Sequence, residues 1–145
     1  MGSFNPFTTG HDSIVRRALL LFDRLVIGVV GDNVNKPSLT PAEQRMEPIR
    51  QLYADNPAIE VKPFYGLAME FARSQGAQFI VKGVRSAKDF EYEREQADVN
   101  RTIGGIETVL LYAEPQFASI SSTMVRELQH FGVDVSGFLP KPLTR

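Results

Sequence analysis

Short apolar runs alternate with segments of helical periodicity along the chain. The run at residues 25–30 is nearly continuous in β-branched residues, which predicts a strand buried on both faces of a parallel sheet. In the first helical segment, Ile14, Ala18 and Phe22 recur every four positions and therefore share one face. This alternation predicts βαβ units, and so an α/β fold in which helices flank a parallel sheet.

Turn and cap residues set the bounds of the predicted elements. A capping box is predicted at the start of the second helix, with Thr40 as N-cap and Glu43 as its partner in the box. Pro41 suits the first turn of that helix. Ser121 or Ser122 is the predicted cap of the last helix. Helices are predicted over residues 11–22, 41–54, 67–74, 87–103 and from the serine cap to 131, and strands over 25–30, 59–64, 79–82 and 107–112.

Length and composition narrow the class of protein. A chain of 145 residues, 43% hydrophobic and 23% charged, is typical of one globular domain. Its net charge of -1 favours neither a nucleic acid nor a membrane as partner. The absence of cysteine excludes disulfides, thiolate metal sites and cysteine nucleophiles. The longest apolar run, residues 18–22, is too short to span a bilayer and no cleavable signal stands out, so we expect a cytoplasmic location.

A glycine-containing turn precedes the first predicted helix. Residues 2–11 read GSFNPFTTGH. The free N–H groups and the dipole at such a helix start attract phosphate, and a histidine in the first turn faces the same anion. For an isolated Gly-His pair, the simpler interpretation is that Gly10 ends a turn and His11 lies on the surface, because short motifs often match by chance.

A serine-rich helix start lies near the C-terminus. Residues 117–126 read FASISSTMVR. Their hydroxyl groups, together with the free N–H groups of a new helix, predict an anion cradle. The alternative is an ordinary serine-capped helix. Arg126 either reaches a phosphate or is a solvated charge on that helix.

Two cations stand at the end of the third predicted strand. Lys82 and Arg85 lie where open α/β sheets bind ligands, and they suit an anionic substrate. Glu93 follows on the next helix. Taken alone, Lys82 and Arg85 are more simply interpreted as two solvated charges beside a turn. Lys36, in the loop 31–39, is likewise more simply interpreted as a solvent-facing side chain.

These blocks together resemble a known family. Residues 8–11 (TTGH) resemble the T/H-x-G-H signature of the nucleotidyltransferase superfamily, and residues 120–126 resemble its second signature, which grips the triphosphate of ATP. Residues 2–6 and 82–93 resemble blocks of the bacterial phosphopantetheine adenylyltransferases. The resemblance covers essentially the whole chain in order and spacing. It implies a Rossmann-like nucleotidyltransferase fold and reversible transfer of AMP from ATP to 4′-phosphopantetheine, which gives dephospho-coenzyme A and pyrophosphate.

The resemblance also implies roles for single residues. The catalytic residues that it implies are His11, Lys36 and Arg85. The residues implied for phosphopantetheine are Ser3, Lys36, Leu67, Ala68 and Lys82. Those implied for ATP are Ser3, Phe4, His11, Gly83, Val84, Arg85, Glu93, Phe117, Ala118, Ser119, Ile120, Ser121, Ser122 and Thr123. From the sequence alone, Leu67 and Ala68 are equally well explained as a buried helix start.

The implied reaction does not require a strong general base. The attacking phosphate is already anionic near neutral pH, so the site needs alignment and positive charge rather than a strong base. Mg²⁺ is expected as cofactor, held mainly by substrate phosphates and water because the sequence shows no dedicated carboxylate cage. A homohexamer and feedback binding of coenzyme A are further implications of the resemblance.

The chain also departs from the family pattern. Lys82 stands where arginine is common, which keeps the charge and loses the bidentate fork. The strand that precedes the GSF block in the family, the central strand of its sheet, is absent, and our hypothesis is that Met1 is not the native start. Two alternatives stay open. A sister nucleotidyltransferase with another phosphate acceptor is opposed by residues 82–93, and an inactive nucleotide-binding remnant is favoured by the absent strand and opposed by the intact His11.

Overall fold

Helices and strands alternate in the computed structural model, which describes residues 1–31 and 40–142. Short 3-10 turns at Pro115–Phe117 and Ser136–Phe138 follow the last strand and the last helix. The predicted α/β class and the predicted order of elements are confirmed. The elements are α1 Thr9–Ala18, β1 Leu25–Val30, α2 Ala42–Leu52, β2 Ile59–Phe64, α3 Ala68–Ser74, β3 Phe79–Val84, α4 Ala87–Gly104, β4 Glu107–Tyr112 and α5 Ser122–His130.

The strands pair as two parallel, two-stranded sheets. β1 pairs with β2, and β3 pairs with β4. Gly2 adds a parallel bridge to Val29: its N–H donates to the Gly28 carbonyl and its carbonyl accepts from the Val30 N–H, both at 3.0 Å. Within residues 1–31 and 40–142, no strand lies between β1 and β3. Their facing edges instead border the cavity described below.

The core lies mainly on the β1–β2 sheet. Met46 and Ile49 of α2 and Val29 of β1 are fully buried there, and Phe7 of the N-terminal segment packs against the same cluster. Burial of side chains of this size stabilises a fold by roughly 1.5–3 kcal/mol each. The N-terminal turn is therefore anchored on a rigid core. In the part of the chain that the structure describes, no helix has the length and apolarity needed to cross a membrane.

The start of α2 differs from the sequence-based prediction. The helix begins at Ala42, and its N-cap is Pro41, which makes no side-chain cap bond. The predicted capping box of Thr40 and Glu43 is therefore wrong. Pro41 holds an extended ψ of 142°, and Glu43 forms an ion pair with Arg50 instead of returning to the helix start.

The bounds of α1 and β3 are shifted as well. Helix α1 begins at Thr9, two residues earlier than predicted, because Thr8 caps it. It ends at Ala18 rather than at residue 22, since the N–H groups of Leu20 and Leu21 bond three residues back in a tightened turn. Strand β3 continues past Lys82 because its pairing with β4 continues to its last residue.

Candidate active site

A cavity of about 720 Å³ opens beside the N-terminal turn. Four parts of the fold meet there: the turn itself, the N-terminus of α1, the end of β3 with the first turns of α4, and the N-terminus of α5. The volume is in the range of small-molecule sites. Two helix N-termini at one cavity favour an anionic ligand.

His11 is fixed in orientation by its own helix cap. The backbone N–H of Thr8 donates to Nδ1 of His11 at 2.9 Å, and the Thr8 hydroxyl accepts from the His11 N–H at 3.4 Å. The pair forms a capping box in which an imidazole replaces the usual Glu or Gln. Because Nδ1 is an acceptor, the proton of the neutral ring is on Nε2. The ring also packs edge-on against Phe4, with centroids 5.0 Å apart.

The protonation state of His11 follows from its surroundings. The pKa of His11 is lowered from 6.5 to about 4, chiefly by desolvation on burial and also by the positive charges of the amino terminus and of Arg85. His11 is therefore neutral at pH 7 and presents an N–H donor, while it remains unable to take up a proton readily. Such a group stabilises charge on a phosphoryl oxygen without acting as a base.

Among the cations that line the cavity, Lys82 and Arg85 are each held by one carboxylate. Lys82 Nζ lies 4.0 Å from Glu93 Oε1 and donates to the carbonyl of Met1 at 3.3 Å. Arg85 Nε lies 3.3 Å from Asp89 Oδ2. The carboxylates orient the cations toward a shared space and leave donors on both free for a ligand.

Helix α5 confirms the predicted serine cap and closes over the N-terminal turn. The Ser121 hydroxyl accepts from the backbone N–H three residues on, at 3.0 Å. The Ser122 hydroxyl donates to the carbonyl of Pro6 at 2.7 Å. Arg126 is exposed and lines the cavity, and its Nη1 donates to the carbonyl of Asn5 at 2.5 Å.

Arg45 was not identified from the sequence, although it contacts the backbone of the N-terminal turn. It is 5% exposed and donates to three backbone carbonyls: Thr40 at 2.6 Å, Ser3 at 2.7 Å and Val30 at 2.7 Å. The sequence carries one signal of this role, since Arg45 lies on the helix face that also bears the buried Ala42, Met46 and Ile49.

Most of the implied site residues meet at the cavity, and some do not. Val84 is buried beside it, and Ala118, Ser119, Leu67 and Ala68 are not among its lining residues. Lys36 lies outside the described residues. Those that line the cavity are Ser3, Phe4, His11, Lys82, Gly83, Arg85, Glu93, Phe117, Ile120, Ser121, Ser122 and Thr123.

Comparison with known proteins identifies the family. A cytidylyltransferase-like family model matches residues 1–128. A phosphopantetheine adenylyltransferase of Phocaeicola vulgatus is 53% identical over 140 residues, which cover 97% of this chain and 92% of that protein. The chain belongs to the phosphopantetheine adenylyltransferase family. Phosphopantetheine adenylyltransferases of Leuconostoc citreum and Frankia casuarinae are 45% and 43% identical, over 97% and 96% of this chain and 89% and 88% of those proteins.

A solved structure supports the same fold. A bifunctional NMN adenylyltransferase/ADP ribose pyrophosphatase from Francisella tularensis matches with a TM-score of 0.68 and 16% identity, over 95% of this chain and 43% of that one. At that identity the likeness concerns the fold alone. The resemblance of the motifs to the phosphopantetheine adenylyltransferases, the nucleotidyltransferase fold and the enzyme class predicted from the sequence are confirmed.

Proposed function

We propose that the cavity is the active site in which this phosphopantetheine adenylyltransferase transfers AMP from ATP to 4′-phosphopantetheine. The observation that carries the proposal is the placement of His11, a neutral N–H donor at a helix N-terminus, in the same cavity as Lys82 and Arg85. A phosphate oxygen of phosphopantetheine attacks the α-phosphorus of ATP. The new P–O bond forms as the bond to the bridging oxygen breaks, and pyrophosphate leaves with the electron pair.

ATP is proposed to lie between the N-termini of α1 and α5. His11 donates to the α-phosphate, and Arg85 faces the leaving phosphates. Gly10 supports this placement. A Cβ at Gly10 would lie 3.5 Å from the Thr8 hydroxyl and 3.8 Å from Phe117, which are ordinary contacts, so packing within the protein does not require a glycine there. A glycine does allow a phosphate to approach the backbone closely.

Phosphopantetheine is proposed to bind through its phosphate at Lys82, with the Ser3 hydroxyl as a second donor. Both residues line the cavity. Lys82 is partly buried between the N-terminal turn and α4, where its charge meets little screening by solvent. Lys36 is proposed to contact the reacting phosphates, and Leu67 and Ala68 to border the pantetheine arm.

Mg²⁺ is proposed to enter with ATP rather than on a protein cage. In the stretches that the structure describes, no group of three or more His, Asp or Glu residues is placed to hold a metal ion. Asp89 and Glu93 at the cavity are each paired with a cation. The carboxylates at the cavity therefore do not fit a magnesium site held by the protein. Mg²⁺ on the phosphates would neutralise charge on the leaving pyrophosphate.

Assembly and regulation extend the proposal. We expect a homohexamer in the cytoplasm, and competition by coenzyme A at the same cavity. Support for assembly comes from α4, which has no buried residue over its 18-residue length and exposes Tyr92, Val99 and Ile103. Light scattering of the purified protein tests the hexamer, and inhibition by coenzyme A that is competitive with phosphopantetheine tests the shared site.

Pyrophosphate release with a panel of acceptors tests the function. The protein, ATP and Mg²⁺ are incubated with 4′-phosphopantetheine, nicotinate mononucleotide or glycerol phosphate. Release only with phosphopantetheine, and its loss in His11→Ala, supports the proposal. Release with another acceptor identifies a sister enzyme. No release with any acceptor from a sample that melts cooperatively identifies an inactive remnant.

A further inference from the structure

Side chains from other parts of the fold hold the carbonyl groups of the N-terminal turn. Lys82, Arg126 and Ser122 hold those of Met1, Asn5 and Pro6, and all three side chains line the cavity. Arg45 holds the carbonyl of Ser3, and it does not line the cavity. The Ser3 carbonyl is therefore drawn to the side of the turn opposite the ligand space.

The direction of that carbonyl fixes the direction of the next amide. Among the described residues only the Asn5–Pro6 bond is cis, so the Ser3–Phe4 peptide is trans. In a trans peptide the C=O and the following N–H point in opposite directions. With the Ser3 carbonyl turned to Arg45, the N–H of Phe4 is turned toward the cavity, which Phe4 lines.

The Phe4 amide is free to bind a ligand. Within residues 1–31 and 40–142, this N–H donates no hydrogen bond. Phe4 also has a φ of 50°, in the left-handed region that non-glycine residues seldom occupy. Such a conformation persists where its surroundings impose it, and it is common at ligand sites.

Arg45 is suited to impose this conformation. Its guanidinium has a rigid fork of donors, and three of its nitrogens contact the carbonyls of Ser3, Val30 and Thr40. In the described part of the chain no carboxylate forms an ion pair with it, and its hydrogen bonds go to peptide carbonyls. A positive charge on the carbonyl side of a peptide polarises it and makes its N–H a stronger donor.

We propose that Arg45 is a positioning residue that turns the Phe4 N–H into the cavity as a donor to a phosphoryl oxygen. The identity of that phosphoryl group as part of ATP rests on the proposed function. The binding of an anion by the Phe4 amide does not, because it needs only the turn and Arg45.

The test observes the Phe4 amide directly. The dipeptide Ser-Phe occurs once in the sequence, so protein with [¹³C]carbonyl serine and [¹⁵N]phenylalanine gives one carbonyl-correlated amide signal, from Phe4. Inorganic pyrophosphate is the probe. In the wild-type protein we expect the Phe4 amide proton to shift downfield as pyrophosphate binds. In Arg45→Lys, which keeps the charge but loses the fork, we expect the shift to disappear and pyrophosphate affinity to fall about tenfold or more.

Two comparisons separate positioning from general destabilisation. Arg50→Lys changes an arginine on the same helix that pairs with Glu43 at the surface, and it should leave both readouts unchanged. Incorporation of phenyllactate at position 4 replaces the single N–H by an ester oxygen and keeps Arg45 in place. This protein should melt close to the wild type and bind pyrophosphate about tenfold more weakly.

Each outcome decides the inference. A Phe4 amide that does not respond to pyrophosphate in the wild type overturns it, whether or not Arg45→Lys folds. Wild-type affinity in Arg45→Lys or in the ester protein overturns it as well. If the Phe4 amide does not shift but the protein transfers AMP, the proposed function holds and the role of Arg45 is refuted. If the amide shifts but the protein does not transfer AMP, the role of Arg45 holds and the proposed function is refuted.

Discussion

Acid should destabilise this protein specifically through His11. In the folded state burial lowers the pKa of His11 to about 4, whereas the unfolded chain has the ordinary 6.5. As the pH falls below 6.5 the unfolded state takes up the proton first, so stability is lost through the window from pH 6.5 down to about 4. Each pH unit inside the window costs about 1.4 kcal/mol. Between pH 7 and pH 5 the loss attributable to His11 is therefore about 2 kcal/mol.

Urea unfolding at pH 7 and pH 5 measures this contribution. In His11→Asn, the side-chain oxygen replaces Nδ1 as acceptor for the Thr8 N–H, so the helix cap is kept while the titrating group is lost. The contributions of other titrating groups to the change in unfolding free energy cancel when the variant is compared with the wild type. The wild type should lose about 2 kcal/mol more than His11→Asn on going to pH 5. His130→Asn, at the exposed second histidine, should behave as the wild type.

If the wild type and His11→Asn lose equal unfolding free energy between pH 7 and pH 5, His11 titrates alike in both states. The neutral Nε2–H donor assigned to it at the active site would then have no basis.

Substitutions at three positions separate packing from ligand contact. Gly10→Ala should change the free energy of unfolding by no more than about 1 kcal/mol, because its Cβ meets only ordinary contacts, yet raise the KM for ATP about tenfold. Unchanged ATP kinetics would refute close phosphate approach at Gly10. Gly83→Ala should lose about 1–3 kcal/mol in urea unfolding, since its Cβ would lie 2.8 Å from Ile14 Cγ1, and undiminished stability would contradict that packing role. Lys82→Met should raise the KM for phosphopantetheine more than that for ATP, while Lys82→Arg stays near wild type. Equal effects of Lys82→Met on both KM values would exclude Lys82 as the phosphopantetheine contact.

Local patterns predicted the order of the elements well and their ends less well. Apolar periodicity and turn residues act over a few positions, so helices and strands could be located from the sequence. The capping boxes show the limit. Thr40 and Glu43 match the usual template and form no box, because Pro41 is extended and the helix starts after it. Thr8 and His11 form one although histidine is absent from the template, because Nδ1 supplies the same acceptor.

Long-range contacts of charged residues could not be predicted. Arg45 stands on an apolar helix face, which signals burial, but nothing local shows that its partners are carbonyls at positions 3, 30 and 40. The hydrogen bond of Arg126 to the Asn5 carbonyl was likewise not predictable, since the two residues are 121 positions apart in the chain. The motif at residues 82–93 did indicate the cavity correctly, because Lys82, Arg85 and Glu93 all line it.

Transfer of isotope from ATP to product tests the central claim most directly. ATP carrying ¹⁸O on the non-bridging oxygens of its α-phosphate is incubated with the protein, Mg²⁺ and 4′-phosphopantetheine, and the products are analysed by mass spectrometry. The account predicts dephospho-coenzyme A that retains the label, unlabelled pyrophosphate, and loss of both products in His11→Ala. Labelled AMP without dephospho-coenzyme A would show that the cavity hydrolyses ATP, and would contradict adenylyl transfer.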